Sequence, residues 1–222
     1  MRYIIASVKP WHKKLFSRIF SKNKKFTLIE KRHQLNYQKL KKINPQYIFF
    51  PHWSFKVNNK ILSKFNCIGF HETDLPYGRG GSPIQNLIIR DKKSTSITAF
   101  RMTDKLDSGP YLLKKKLILN GSAQVIYEKS AIIVFDMIRD IIKNNYKYKN
   151  QRGKPTIFKR LKDNKLLTKN TSLRFLYNKI RMLDAETYPK AFIKIKNIKF
   201  EFYNVKIIKN SLKCRVTIKN VR

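Results

Sequence analysis

The residues able to do chemistry crowd into one stretch of the chain. Eight of the 13 acidic residues fall between Glu72 and Asp140, and five of the seven glycines between Gly69 and Gly109. Scarce residues gathered in one window mark a place where backbone geometry is being specified. His71 stands at its head, followed by Glu72-Thr73-Asp74-Leu75-Pro76-Tyr77-Gly78-Arg79-Gly80-Gly81. A histidine among carboxylates can take or give a proton at neutral pH, because its unperturbed pKa is about 6.5. A lone histidine at a strand end is as readily a solvated or core side chain, so its partners decide the reading. Cys67 and Cys214 are far apart and offer neither a disulfide framework nor metal-ligand spacing, so no metal is expected.

The elements around this block alternate short apolar runs with helical patterns, which predicts an α/β fold with a mostly parallel sheet flanked by helices. Strands are expected over 2–8, 26–30, 46–50 and 67–71, the third closed by Pro51, with helices over 11–20, 35–42 and 59–65. His71 and the segment Pro51-His52-Trp53-Ser54-Phe55 then fall at carboxyl ends of strands, where open α/β sheets bind ligands. A helix is expected from Pro83, with Ser82 as its N-cap. Strands follow at 95–102 and 110–119, with a tight loop over 103–109 between them. An amphipathic helix is expected from Ser122 to Ile142. The polar stretch 143–155 reads as a linker. It divides a domain over 1–150 from residues 151–222, which hold a helix over 171–183 and a small β-containing unit over 190–208 and 211–220. His12 and His33 read as surface residues.

Two motifs, taken together, resemble the 10-formyltetrahydrofolate-dependent formyltransferases. The first is the block from His71 through Ser82-Pro83-Ile84-Gln85-Asn86, similar to that family's His-x-Ser-x-Leu-Pro-x-x-x-Gly and the stretch that follows it in methionyl-tRNA formyltransferases. The second is Thr103-Asp104-Lys105-Leu106-Asp107-Ser108-Gly109-Pro110, with Asp107 thirty-six residues after His71, as in the family. The match is good over about residues 45–140 and holds by pattern alone over 1–44. The resemblance implies a Rossmann-like catalytic domain over 1–150 and formyl transfer from 10-formyltetrahydrofolate to an amine. His71 would serve as donor to the oxyanion or acceptor of the amine proton. Asp107 would orient the imidazole or act through a water. The resemblance further implies that His52, Trp53, Ser54, Phe55, Thr103, Asp104 and Leu106 line the folate site. Thr73, Arg79, Gly80, Gln85 and Asn86 would face the acceptor. Asp74 and Asp104 can also be read as caps or turn residues, and Arg79 as a surface charge.

One departure matters. The family carries an asparagine two residues before the histidine, as an oxyanion donor, where this chain has Gly69. Losing such a donor typically costs about 10²–10³ in rate. Gln85, Asn86, Thr73 or a water are the candidates to replace it. A strand glycine can also mean close backbone packing.

Lys154-Pro155-Thr156-Ile157-Phe158-Lys159-Arg160 and Ile180–Phe192 resemble a branch of sugar N-formyltransferases. That branch acts on nucleotide-activated 4-amino-4,6-dideoxy sugars for surface polysaccharides. The acceptor expected is therefore a nucleotide-activated amino sugar, with methionyl-tRNA the alternative. The short C-terminal stretch weighs against tRNA, because tRNA formyltransferases usually carry a larger domain there. A folate-binding relative of weakened activity is the third reading. The formal charge of +37 favours an anionic ligand such as a polyglutamylated folate. Its spread among Ile, Asn, Phe and Tyr reads chiefly as the bias of an AT-rich genome rather than a dedicated nucleic-acid surface. No apolar run reaches the roughly 18 residues of a membrane span. The opening apolar run reads as a first strand rather than an export signal. A cytoplasmic protein is expected, with homodimerisation left open.

Overall fold

A computed structural model describes residues 1–167 and 172–221. In the first half, each short apolar run forms a strand and each amphipathic run a helix. The order is β1 (Tyr3–Ala6), α1 (Pro10–Ile19), β2 (Phe26–Ile29), α2 (Tyr37–Ile43), β3 (Tyr47–Pro51), α3 (Asn59–Lys64) and β4 (Cys67–His71). Pro10 opens α1, where its fixed φ suits the first helical position and its missing N–H is no loss. Asn36 and Asn58 cap α2 and α3 with side-chain oxygens that accept from the first-turn amides. Pro51 is the last residue of β3 rather than a closer beyond it.

Next come β5 (Arg79–Gly80), α4 (Pro83–Ile89), β6 (Ser94–Arg101), β7 (Tyr111–Ile118), α5 (Ala123–Asn144) and β8 (Ile157–Phe158). The main sheet has the order β2-β1-β3-β4-β6-β7. Its first four strands are parallel. β6 joins β4 antiparallel, with Gly69 opposite Phe100 and His71 opposite Thr98. One face of the sheet packs Ile4, Ala6, Ile48, Phe50 and Cys67 against Leu40 of α2 and Ile61 of α3. Each such side chain contributes about 1.5–3 kcal/mol on burial. β5 and β8 form a separate parallel pair.

The chain closes with α6 (Leu173–Leu183), β9 (Ala191–Ile195), β10 (Ile198–Ile208) and β11 (Ser211–Asn220). The last three form an antiparallel sheet in the order β11-β10-β9. Thr171, where the sequence pattern starts this helix, lies outside the described residues. Ser82 precedes α4 but does not cap it. It sits in the left-handed region at φ 51 with no side-chain cap bond, and its hydroxyl accepts from the Leu161 amide instead.

By contacts the chain forms two compact units. The first comprises Met1–Gly80, Ser96–Leu117 and Glu128–Phe158; the second comprises Gly81–Thr95, Ile118–Tyr127 and Lys159–Arg222. The stretch 143–155, expected as a linker, falls within the first. In the second, the buried Arg181 guanidinium fixes the turn between β7 and α5, donating to the Leu119 and Gly121 carbonyls. Among the described residues no helix is long and apolar enough to cross a membrane.

Candidate active site

His71 ends β4, and its ring is almost fully buried. The residues after it cannot wander. Thr98, its partner on β6, donates its hydroxyl to the Thr73 carbonyl at 2.7 Å and accepts the Leu75 amide at 3.3 Å. Lys114 holds the Asp74 carboxylate at 2.5 Å and the Leu75 carbonyl at 2.7 Å. The loop then turns back over the imidazole, and His71 Nε2 lies 2.8 Å from the Gly78 carbonyl oxygen. A carbonyl only accepts, so this contact places the ring's proton on Nε2. Nδ1 is left as the basic nitrogen.

Nδ1 faces Asp107 Oδ2 at 3.7 Å. Asp107 reaches it by an indirect route. β6 leaves its pairing with β4 at Arg101, which lies opposite Ile68, three residues before His71. At roughly 3.3 Å per residue, the loop over 103–109 must climb about 10 Å to bring the carboxylate level with the ring. It does so with Asp107 in the left-handed region at φ 48. The Gly80 amide donates to Asp107 Oδ2 at 2.8 Å. Gly80 itself has φ 106, and a Cβ there would stand 2.5 Å from the Phe158 carbonyl oxygen, so only glycine fits.

A segment from much later in the chain completes the arrangement. The Gly78 amide donates to Thr156 Oγ1 at 2.7 Å, and the Arg79 amide to the Thr156 carbonyl at 2.9 Å. Gln151 Nε2 donates to the carbonyls of Asp107 at 2.9 Å and Gly109 at 2.8 Å. Its Oε1 accepts Arg79 Nε at 3.2 Å and Nη2 at 2.6 Å. Sequence reasoning missed Gln151 and Thr156, because one Gln and one Thr in a polar stretch carry no spacing signal.

A second polar group pairs His52, expected at the folate site, with Glu72, which was not expected to face it. His52, at φ 48, faces Glu72 across 3.6 Å. Burial pushes the Glu72 carboxyl up, but the facing His52 and the nearby His71 more than offset this and leave it below its ordinary range. His12 is buried rather than on the surface: its Nδ1 lies 2.8 Å from Ser7 Oγ and its ring stacks on Phe135. Burial, with His52 and Lys9 nearby, holds its imidazole well below its usual range. Helical spacing within α1 assigns it neither contact, since Ser7 lies before the helix and Phe135 on α5. His33 is exposed.

The other expected site residues divide by surroundings. Trp53 packs edge-on to Phe50 and Phe55. Its Nε1 is buried and makes no hydrogen bond among the described residues, an unspent donor of the kind a polar heterocycle would satisfy. Phe55 lies under the Arg32 guanidinium, and Ser54 is exposed. Thr103, Asp104 and Leu106 lie exposed on the loop that carries Asp107. Thr103 Oγ1 donates to the Lys105 carbonyl, and Asp104 Oδ1 accepts the Lys105 amide, a turn contact. Thr73 is fully buried, with its hydroxyl unpaired among the described residues. In the second unit, Gln85 donates to Tyr127 Oη, while Asn86 donates to the Gly81, Ser82 and Lys159 carbonyls. At Gly69 a Cβ would stand 2.8 Å from two atoms of the Phe100 ring and 3.1 Å from Met102 Cγ. The place of the asparagine side chain is filled by hydrocarbon.

A buried imidazole with one protonated and one basic nitrogen, beside a carboxylate held by a backbone amide, can give and take a proton. A formyl transferase family model matches residues 12–130, and the chain belongs to that family. A model of the methionyl-tRNA formyltransferase C-terminal domain matches residues 162–219. The chain is 32% identical over 161 residues to the methionyl-tRNA formyltransferase of Thermodesulfovibrio yellowstonii, covering 68% of this chain and 51% of that one. It thus spans about half the length of the curated relatives it matches. The solved structure of methionyl-tRNA formyltransferase from Clostridium thermocellum superposes with a TM-score of 0.94 at 37% identity, covering 99% of both chains. A sugar N-formyltransferase from Shewanella sp FDAARGOS_354 shares the fold, with a TM-score of 0.68 at 18% identity over 94% of this chain and 99% of that one.

Proposed function

We propose that this protein transfers a formyl group from 10-formyltetrahydrofolate to the amine of methionyl-tRNA. The observation that carries the transfer chemistry is the His71–Asp107 pair, with Nε2 fixed by Gly78 and the carboxylate fixed by Gly80. An uncharged amine attacks the formyl carbon, and the tetrahedral intermediate bears an oxyanion and an ammonium. His71 takes the ammonium proton at Nδ1, Asp107 stabilises the imidazolium that forms, and the imidazolium gives that proton to the folate nitrogen as the oxyanion collapses, the bond from formyl carbon to folate nitrogen breaks and tetrahydrofolate leaves. Residues 1–150 form the catalytic domain on this reading. His52, Trp53, Ser54 and Phe55, with Thr103, Asp104 and Leu106, hold the folate, and the unspent Trp53 Nε1 meets a polar atom of its ring system. Thr73, Arg79 and Gly80 face the acceptor on this reading.

The tRNA acceptor displaces the amino sugar favoured by sequence motifs. Support comes from the C-terminal model match over 162–219, in the very stretch read as too short for a tRNA enzyme, and from the 37% identity to the Clostridium thermocellum protein over 99% of both chains. The charge of +37 fits a polyanionic partner. A nucleotide-activated amino sugar is the second reading, supported by the stretches 154–160 and 180–192 and by the shared fold of the Shewanella enzyme.

The test incubates the protein with 10-formyltetrahydrofolate and either methionyl-tRNA or a panel of UDP- and dTDP-linked 4-amino sugars, with products read by mass spectrometry. N-formylmethionyl-tRNA is expected, falling steeply with salt, lost in His71→Ala and cut to a slow but measurable rate in Asp107→Asn. Formylated sugar with no formylated tRNA would move the assignment to the second reading. No formyl product in either arm would sink both.

A further inference from the structure

We propose that Gln151 is a positioning residue for the Asp107 carboxylate, anchored in turn by Arg79. The proposal rests on the transfer chemistry above and adds a component outside both family motifs. Gln151 has two amide hydrogens and one carbonyl oxygen, and each is used in one direction. The hydrogens go to the Asp107 and Gly109 carbonyls, on either side of Ser108. The oxygen takes two donors from the Arg79 guanidinium. An amide is the group that can bridge a cation to two carbonyls at once. A carboxylate would repel the carbonyls, and an amine would repel the guanidinium.

The need for such a clamp is local. Asp107 sits in a left-handed conformation that costs a non-glycine residue free energy. Its loop is otherwise exposed, with Leu106 67% accessible. Inside the loop, the bonds among Thr103, Lys105 and Ser108 join neighbours and do not tie it to the sheet. The Gln151 side chain holds two of its carbonyls from outside the loop. It also links the loop to β5, because Arg79 directly precedes the Gly80 amide that binds Asp107 Oδ2. Both contacts that set the height of the carboxylate therefore pass through one short stretch of backbone.

The test measures kcat and KM for formyl transfer in wild type, Gln151→Ala, Gln151→Glu, Asp107→Asn and the Asp107→Asn/Gln151→Ala double variant. Amide hydrogen exchange at Gly80 is followed in the same proteins. Misplacing a catalytic group by about 1 Å costs roughly 10²-fold, so kcat should fall by about that factor in both Gln151 variants, with a smaller rise in KM for the folate because Thr103, Asp104 and Leu106 share the loop. The loss should vanish in the Asp107→Asn background. The Gly80 amide should exchange faster in Gln151→Ala, and likewise in Asp107→Asn. Gln151→Glu keeps the anchor to Arg79, so its failure to rescue isolates the two donated bonds. Wild-type Gly80 protection in Gln151→Ala, or an undiminished Gln151 effect without the Asp107 carboxylate, would overturn the proposal. If the wild type transfers no formyl group, the functional reading falls, and the exchange comparison still decides whether Gln151 sets Asp107.

Discussion

Placing a methyl group on Gly69 tests whether the missing asparagine is a simple loss or a repacked core. Two effects oppose each other. Alanine in a strand restricts the unfolded chain and ordinarily stabilises by about 0.5–1 kcal/mol relative to glycine. Here the added Cβ would meet Phe100 Cε1 and Cζ at 2.8 Å and Met102 Cγ at 3.1 Å. Phe100 is 4% exposed and stands directly across from Gly69 on β6, so its ring has no free space to swing into. Overpacking of this kind costs about 1–3 kcal/mol. The balance predicts that Gly69→Ala destabilises by about 0.5–2 kcal/mol, against the backbone trend. The melting temperature should fall by about 2–4 °C for each of those kcal/mol. Urea denaturation followed by tryptophan fluorescence reads the free energy. Trimming the ring in Gly69→Ala/Phe100→Leu should recover stability relative to the sum of the single changes. Gly69→Asn should lose stability further and gain no rate, since its amide cannot enter. A Gly69→Ala protein more stable than wild type would refute the interlock, and with it the view that this site has abandoned the asparagine position.

Three further outcomes are expected. Gly80→Ala should lose more than about 2 kcal/mol, because the Cβ meets the Phe158 carbonyl and φ 106 is strained for alanine; circular dichroism melts check it. Thr73→Val should stabilise by about 1 kcal/mol by removing a buried, unpaired hydroxyl, measured by the same denaturation. Stability should also fall with acid in two stages. His12 is held neutral when folded but protonates in the unfolded chain near its reference of about 6.5, so stability is lost as pH drops below that value. Glu72 is held below its ordinary range, so its contribution is present above about 4.5 and disappears as pH falls through its lower folded value. His12→Gln should flatten the upper stage and Glu72→Gln the lower; unchanged slopes would contradict the assignment.

Much of this was legible in the residues. The strand ending at His71 is legible in Cys67-Ile68-Gly69-Phe70-His71, because a short apolar run with a polar end residue has few alternatives. The spacing to Asp107 was readable because motif order survives when sheet order does not. What failed to show was anything depending on a partner remote in sequence. Ser82 before Pro83 looks like a cap, yet Leu161 claims its hydroxyl. His12 looks like a surface residue in a lysine-rich helix until Ser7 and Phe135 enclose it. The filling of the Gly69 site depends on which residue of β6 stands opposite, and register is not written in either strand alone.

The bond from Gly78 to Thr156 spans 78 residues of chain. Closing so long a loop adds little entropy beyond that of a loop half its length, about 0.6 kcal/mol, so the consequence is one of timing. During synthesis the amino-terminal part emerges first, and β1 through β4 can pair before Gln151 and Thr156 have been made. His71 is thus translated long before the residues that tie down its loop and the loop of Asp107. A nascent chain on the ribosome would hold the paired strands while the loops of His71 and Asp107 still lacked the contacts made by Gln151 and Thr156.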